Sequence, residues 1–312
     1  MELIRGRINL KPRHRGCAAS IGNYDGVHLG HRHVLEQLVS HARAHALPAT
    51  LVVFEPMPQE YFAAGAPPAR LMAFTDKLPV LAEFGVERVV CLHFNRSLAG
   101  MPAEEFIERV LERELGVRQL VVGEDFRFGH GRRGDMKLLR AAGPAHGFEV
   151  APASTLMVAG GRVSSSRIRE CLAAGELESA ARLLGSPFSI CGRVVRGRRW
   201  GHELGYPTAN IPLKRRVSPV HGIFVAAVHG IGGTTRHAAA YVGGGSSGHG
   251  QNGVLEVHLL GFKGELYGQR LRVELLHQLR ADARFHNLEA LRAQMSRDME
   301  AANAWLKNHG LH

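Results

Sequence analysis

Cysteine is scarce: Cys17, Cys91, Cys171 and Cys191 are the four present, and no two stand in C-x-x-C spacing. That scatter argues against a cysteine zinc site and against a disulfide framework, and predicts a protein of the reducing cytoplasm. Long apolar runs are missing as well. No stretch approaches the ~20 residues needed to cross a bilayer, and the opening "MELIRGRINLK" lacks the apolar centre of a signal peptide. No membrane partner is expected. Aromatic residues make up only 6% of the chain, and they do not alternate with the basic groups "RGRINLKPRHR", "GHGRRGDMK", "RVVRGRR" and "LKRR" as a single-strand stacking platform requires. The formal charge of +11 therefore stays open between nucleic acid and substrates carrying several phosphates. Internal repeats are absent, and "VGGGSSGHGQNG" is the one low-complexity stretch.

The 312 residues, 45% of them hydrophobic, suffice for two domains with cores of their own. Up to about residue 160, strand-like runs ("RGCAASI", "ATLVVFEP", "ERVVCLHF", "RQLVVGEDF") alternate with helical patterns, which predicts a parallel sheet flanked by helices, an α/β domain of Rossmann-like type. Four strand ends, GNYDGVHLGH, FEPMP, HFNRS and GEDFRFGHG, then converge on one crevice. The helical segment "SSSRIRECLAAGELESAARLLG" closes on Gly185 with Pro187 beyond, so a domain boundary near 186 is expected, dividing 1–186 from 187–312. After it, "SICGRVVRG", "HGIFVAAVHG", "RHAAAYVGGG", "VLEVHLLGF" and "QRLRVELLHQL" predict a small antiparallel β-barrel. A closing helix follows, with Leu288, Leu291, Met295, Met299 and Trp305 on a helical repeat.

In "GNYDGVHLGH", His28 and His31 follow a turn that joins a buried strand to a helix bearing Val34, Leu35, Leu38, Val39 and Ala42 at helical spacing. Within a first turn, i and i+3 spacing sets both imidazoles on one face, beside unpaired N–H groups and the positive end of the dipole, where an anion such as phosphate binds. Capping by surface histidines is the plainer alternative in a chain with 19 of them, and Asp25, His28, His31 and His33 form no closed set of four zinc ligands. "VSSSRIRE" offers Ser164, Ser165, Ser166, Arg167 and Arg169 at a second helix N-terminus, as phosphate ligands, as a serine cap, or as both. "GYPTAN" reads as a turn in which Thr208 and Asn210 present hard oxygens suited to Mg²⁺ on ATP, or satisfy local backbone groups. Asp125 and Arg127 are polar strand-end residues; Phe54, Phe126 and Phe128 are open between ligand and core packing.

These motifs, in this order and over nearly the whole chain, resemble the bacterial bifunctional riboflavin kinase/FAD synthetases, whose first domain carries the H-x-G-H signature of nucleotidyltransferases. The resemblance implies phosphorylation of riboflavin to FMN in the barrel and adenylylation of FMN to FAD in the α/β domain, with pyrophosphate released. It implies ATP and Mg²⁺ for both steps, flavin as substrate and product, and a monomer or weak homo-oligomer. By the same resemblance His28 and His31 serve the ATP triphosphate, with Gly22, Asn23, Tyr24, Asp25, Gly26, Gly30, Ser164, Ser165, Ser166 and Arg167 around the nucleotide. Phe54, Asp125, Phe126, Arg127 and Phe128 would then meet the flavin. In the kinase half the likeness assigns Gly205, Pro207, Thr208 and Asn210 to ATP, Thr208 and Asn210 to its Mg²⁺, and Glu256 to the general base. This chain departs from the pattern at Met57, where histidine is common, at Trp200 and His202, which are usually arginine, and at Tyr241, Gly245 and Ser246 in place of Asn, Arg and Pro. Those departures keep in view a barrel that binds flavin but no longer phosphorylates it, and the charge of +11 keeps in view a nucleic-acid-binding protein.

Overall fold

The computed structural model describes residues 1–197, 206–213, 217–243 and 253–311. Two compact units divide the chain: Met1–Pro67 with Phe74–Ser164, and Pro68–Ala73 with Ser165–His312. Trp200, His202, Gly205, Gly245 and Ser246 lie outside the described residues.

The first unit is built on a six-stranded sheet of β1 (Glu2–Arg5), β2 (Cys17–Ile21), β3 (Ala49–Glu55), β4 (Arg88–His93), β5 (Val117–Gly123) and β6 (Glu149–Ala153), in the order β1-β4-β3-β2-β5-β6. Every pairing in it is parallel. The four strands expected from apolar runs are all present, because an inner parallel strand is covered on both faces and so carries little polar alternation; all five residues of β2 are buried. Two edge strands were not foreseen. Glu2–Arg5 and Glu149–Ala153 keep polar or half-exposed positions, which erases the apolar signature at a sheet edge. The chain runs outward from β2 through β3 to β4 on one side and through β5 to β6 on the other, so the switch point lies between the carboxyl ends of β2 and β5. GNYDGVHLGH and GEDFRFGHG leave from those two ends.

The second unit holds an antiparallel sheet of β9 (Ser189–Arg193), β10 (Ala209–Pro212), β11 (Gly222–Ile231), β12 (Thr234–Gly243), β13 (Val254–Leu259) and β14 (Arg270–Arg280) in the order β10-β13-β12-β11-β14-β9. The short hairpin β7 (Met157–Val158) and β8 (Gly161–Arg162) belongs to the first unit. Gly192 of β9 lies against Ile211 of β10, where a Cβ would come within 2.3 Å, so the outer strands curl together into a nearly closed barrel. One expectation needs correction: GYPTAN is not wholly a turn. Asn210 sits in β10 opposite Glu256 of β13, because four residues of an edge strand, ending in Pro212, are too few to show a period of two.

The closing helix spans Leu288–Asn308, with the Asn287 side chain accepting from the Ala290 N–H at 2.8 Å. Of the expected repeat, Met299 and Trp305 pack beside the buried Ala302 and Leu306, whereas Leu288 is 63% exposed and the buried position between is Asp298. The buried carboxylate of Asp298 is met by both arms of the Arg280 guanidinium, at 2.9 and 2.7 Å, and by Gln294 at 2.8 Å. A charge-assisted bidentate pair thus ties the helix to β14.

Candidate active sites

His28 is the N-cap of the helix Leu29–Ala44, and its Nδ1 accepts the His31 backbone N–H at 3.2 Å. The capping role expected of this residue is therefore present, and a neutral imidazole that accepts at Nδ1 carries its proton on Nε2. His31 stacks on the His28 ring with centroids 3.6 Å apart and 16° between planes, and on its other side meets the Tyr24 ring at 4.8 Å. His31 Nδ1 is buried and has no hydrogen-bond partner. Burial first, then the neighbouring His28 and Lys77, hold the His31 pKa well below its ordinary 6.5. At neutral pH the His31 imidazole is thus uncharged, stacked beside His28 at a helix N-terminus.

The turn that delivers them is strained. Tyr24, Gly26 and Val27 all have positive φ, at 48°, 85° and 40°; for a buried tyrosine and valine such conformations cost of order 1–3 kcal/mol each, and they gather at functional sites. Compensation is visible: Tyr24 Oη lies 2.7 Å from Ser20 Oγ, and Arg32 Nε donates to the Val27 carbonyl at 3.1 Å. Asp25 is buried at 3% exposure. At Gly30 a Cβ would stand 3.1 Å from the Val163 carbonyl and 3.3 Å from the His28 ring, so the bare backbone lets both pack close. Gly22 likewise lies under the Tyr24 ring at 3.0 Å.

At the end of β5, Asp125 receives both arms of Arg162 at 2.7 and 2.9 Å, which holds its carboxyl below the usual range. Arg127 donates to Asp135 at 2.8 Å, and Asp135 caps the helix Met136–Ala142 through Leu138 N–H. Phe128 is 8% exposed and Phe126 stacks on it at 5.6 Å, both against the sheet core. Phe54 is half-buried at the end of β3, with the Phe94 ring edge-on at 5.8 Å. Tyr61 and Phe62 complete a set of edge-to-face contacts around Phe94 at 5.3 and 5.7 Å, and Phe62 stays 64% exposed. Sequence reasoning passed over Tyr61, Phe62 and Phe94, although three aromatics beyond two strand ends are a signal in a chain so poor in them. Met57 is 3% exposed and packs as a core side chain.

Lys77 was also missed. It lies on the helix Phe74–Glu83 with 4% exposure, and its Nζ donates to the Asn23 carbonyl at 2.5 Å. In the second unit the Ser164–Arg167 stretch opens a helix, as expected, at Ser165; Arg169 is turned to the Ala69 carbonyl at 2.6 Å.

In the barrel, Asn210, Glu256 and Tyr241 stand directly opposite one another on β10, β13 and β12. Directly opposed residues share a face, so amide, carboxylate and phenol form one row. Asn210 Nδ2 donates to the Thr208 carbonyl at 3.2 Å, and His258, two residues along the same face from Glu256, donates from Nδ1 to the Pro207 carbonyl at 2.9 Å. The segment Pro207–Asn210 is thereby held against β13 beside Glu256. Tyr241 lies over Gly243, where a Cβ would come within 2.0 Å of its hydroxyl, and donates to Asp282 Oδ2 at 3.1 Å. Among the described residues no group of three or more His, Cys, Asp or Glu could hold a metal ion, and no helix is long and apolar enough to cross a membrane.

A parallel sheet with a histidine pair at its switch point, followed by an antiparallel barrel with a row of amide, carboxylate and phenol, fits a two-part transferase of nucleotides. Comparison with known proteins makes this particular. The FAD synthetase family model matches residues 10–167 and the riboflavin kinase model residues 184–306. A bifunctional riboflavin kinase/FMN adenylyltransferase from Pseudomonas fluorescens is 45% identical over 310 residues, covering 97% of each chain, and that of Escherichia coli K12 is 44% identical over 299 residues, covering 96% of each. A solved structure described as a macrolide-efflux protein from Streptococcus pneumoniae matches 98% of this chain and 100% of its own with a TM-score of 0.79 at 26% identity. The chain belongs to the bifunctional riboflavin kinase/FMN adenylyltransferase family, as the ordered motifs led us to expect.

Proposed function

We propose that this protein phosphorylates riboflavin to FMN and adenylylates FMN to FAD, the first in its barrel and the second on its parallel sheet. The observation that carries the adenylyl half is the stacked His28–His31 pair at a helix N-terminus on the switch point. Transfer of a nucleotidyl group asks the enzyme chiefly to position reactants and to stabilise charge spreading over phosphate oxygens. His28 Nε2–H and His31 would donate to the triphosphate as the FMN phosphate oxygen attacks the α-phosphorus, the α–β bridge breaks and pyrophosphate leaves. The exposed Tyr61 and Phe62, with the partly buried Phe94 beside Phe54, would offer flat apolar faces to an isoalloxazine. Asp125 and Arg127, each in an ion pair, would act by holding the β5 end in shape.

In the kinase half, Glu256 takes the proton of the ribityl 5′-hydroxyl as its oxygen attacks the γ-phosphorus and ADP leaves. Mg²⁺ fits this site as a passenger of ATP: Thr208 and Asn210 supply hard oxygens, and magnesium is usually held by one or two protein oxygens plus phosphate. When bound it neutralises phosphate charge. The pairing of Asn210 opposite Glu256 supports reading the two as one site. By function we divide the chain at 186, and we assign it to the cytoplasm, where four cysteines with free thiols are at home; a monomer or weak homo-oligomer is the assembly proposed. Purified protein given riboflavin, ATP and Mg²⁺, with FMN and FAD separated, should yield both. FAD from added FMN without FMN from riboflavin would instead mean a flavin-binding barrel without kinase activity.

A further inference from the structure

Lys77 is a buried cation to which neither the sequence motifs nor the two reactions give a task. Its ammonium, at the first turn of the helix Phe74–Glu83, reaches under the loop that follows β2 and donates to the Asn23 carbonyl at 2.5 Å. That loop has three residues of positive φ between Asn23 and His28, and a backbone held there needs something to hold it. The same cation is close enough to His31 to act on its ionisation, together with His28, while Tyr24 covers the other face of the ring. Burying a lysine is expensive, and a solvated position on the same amphipathic helix would avoid that cost.

We propose that Lys77 is a positioning residue of the adenylyl-transfer site, pinning the Asn23–Val27 loop and setting a fixed positive charge near the histidine pair. The inference rests on the adenylyl-transfer function proposed above. A cation fixed in a water-excluded place costs no reorganisation when negative charge develops on the reacting phosphates. It also opposes protonation of His31, so the imidazole meets its substrate as a neutral donor.

The test is FAD formed from FMN and ATP by the full chain, with FMN formed from riboflavin measured beside it. A wild-type protein that forms no FAD overturns the proposed function, and the role of Lys77 with it. With wild type active, Lys77→Met should lower kcat for FAD formation by about 10²-fold, with KM for ATP changed by less than about tenfold and FMN formation unchanged. Lys77→Arg, which keeps the charge, should recover at least about tenfold of that loss. In Lys77→Met the His31 ring proton signal should titrate at a higher pH than in wild type, which loss of packing alone would not produce. A Lys77→Met rate within about threefold of wild type, or equal losses in Met and Arg that track lowered melting temperatures, would overturn the proposal. If Lys77→Met does not fold, Lys77→Gln decides: it keeps a donor for Asn23 without the charge, and a wild-type kcat there would overturn the proposal as well.

Discussion

His28 caps its helix by accepting the His31 N–H, and the role proposed for its Nε2, donation to the triphosphate, can be separated from that cap. Replacing a capping side chain by alanine costs about 1 kcal/mol, whereas asparagine supplies a cap oxygen without an imidazole. His28→Asn should therefore melt near wild type and His28→Ala a few degrees lower, while neither forms FAD from FMN and both still form FMN from riboflavin. Differential scanning calorimetry and the two product assays read these outcomes; a His28→Asn protein with full FAD synthesis would remove the imidazole from the chemistry. His31 makes a prediction in pH. Its folded pKa lies below the unfolded 6.5, so the unfolded chain binds more protons and stability rises with pH through this window. The penalty is absent above 6.5, begins as pH falls through that value, and grows until the folded pKa is passed. Melting temperatures measured between pH 7.5 and 5 should accordingly fall more steeply in wild type than in His31→Gln, and parallel curves would contradict the buried neutral ring.

At the scale of elements, what was legible followed burial. β2, β3, β4 and β5 announced themselves because inner parallel strands are apolar throughout, and the turn after β2 was legible as a strand-to-helix junction because Gly22 and Gly26 precede a helical apolar repeat. β1, β6 and β10 were not, since edge strands carry charge or proline and no uniform burial. Lys77 was invisible for a related reason: a lysine in an amphipathic helix normally lies on the solvated face, and only the tertiary packing turns this one inward. The pairing of Asn210 with Glu256 also needed the structure, because register between strands 46 positions apart is not written in either strand. That register makes a prediction for β13. Glu256→Gln keeps the shape of the row but removes the base, so FMN formation should fall by about 10²–10⁴-fold with FAD formation from added FMN unaltered. A wild-type rate of riboflavin phosphorylation in this variant would place the base elsewhere. Tyr241, where the family pattern has asparagine, belongs to the same row and spans from β12 to Asp282.

For the molecule as a whole, the two reactions lie in separate sets of motifs, and the division proposed at 186 has a structural cost. The helix Leu177–Leu184 buries Leu177, Ala180, Leu183 and Leu184 and belongs with the barrel in the second compact unit. Residues 1–186 produced alone should still convert FMN and ATP to FAD, because the whole parallel sheet and the Ser164–Arg167 segment are retained, but with an exposed apolar helix face and a tendency to aggregate. A fragment that is folded by circular dichroism and inactive would mean that the barrel completes the adenylyl-transfer site. The claim most central to this account is that one chain holds two independent sites joined only by a diffusible product. Its most direct measurement is FAD formed from riboflavin and ATP by His28→Ala, by Glu256→Gln, and by the two variants mixed. Each alone should make little FAD from riboflavin, the first stopping at FMN and the second before it, and the mixture should restore synthesis of FAD. FAD made from riboflavin by His28→Ala alone, or a mixture no better than either variant, would contradict it.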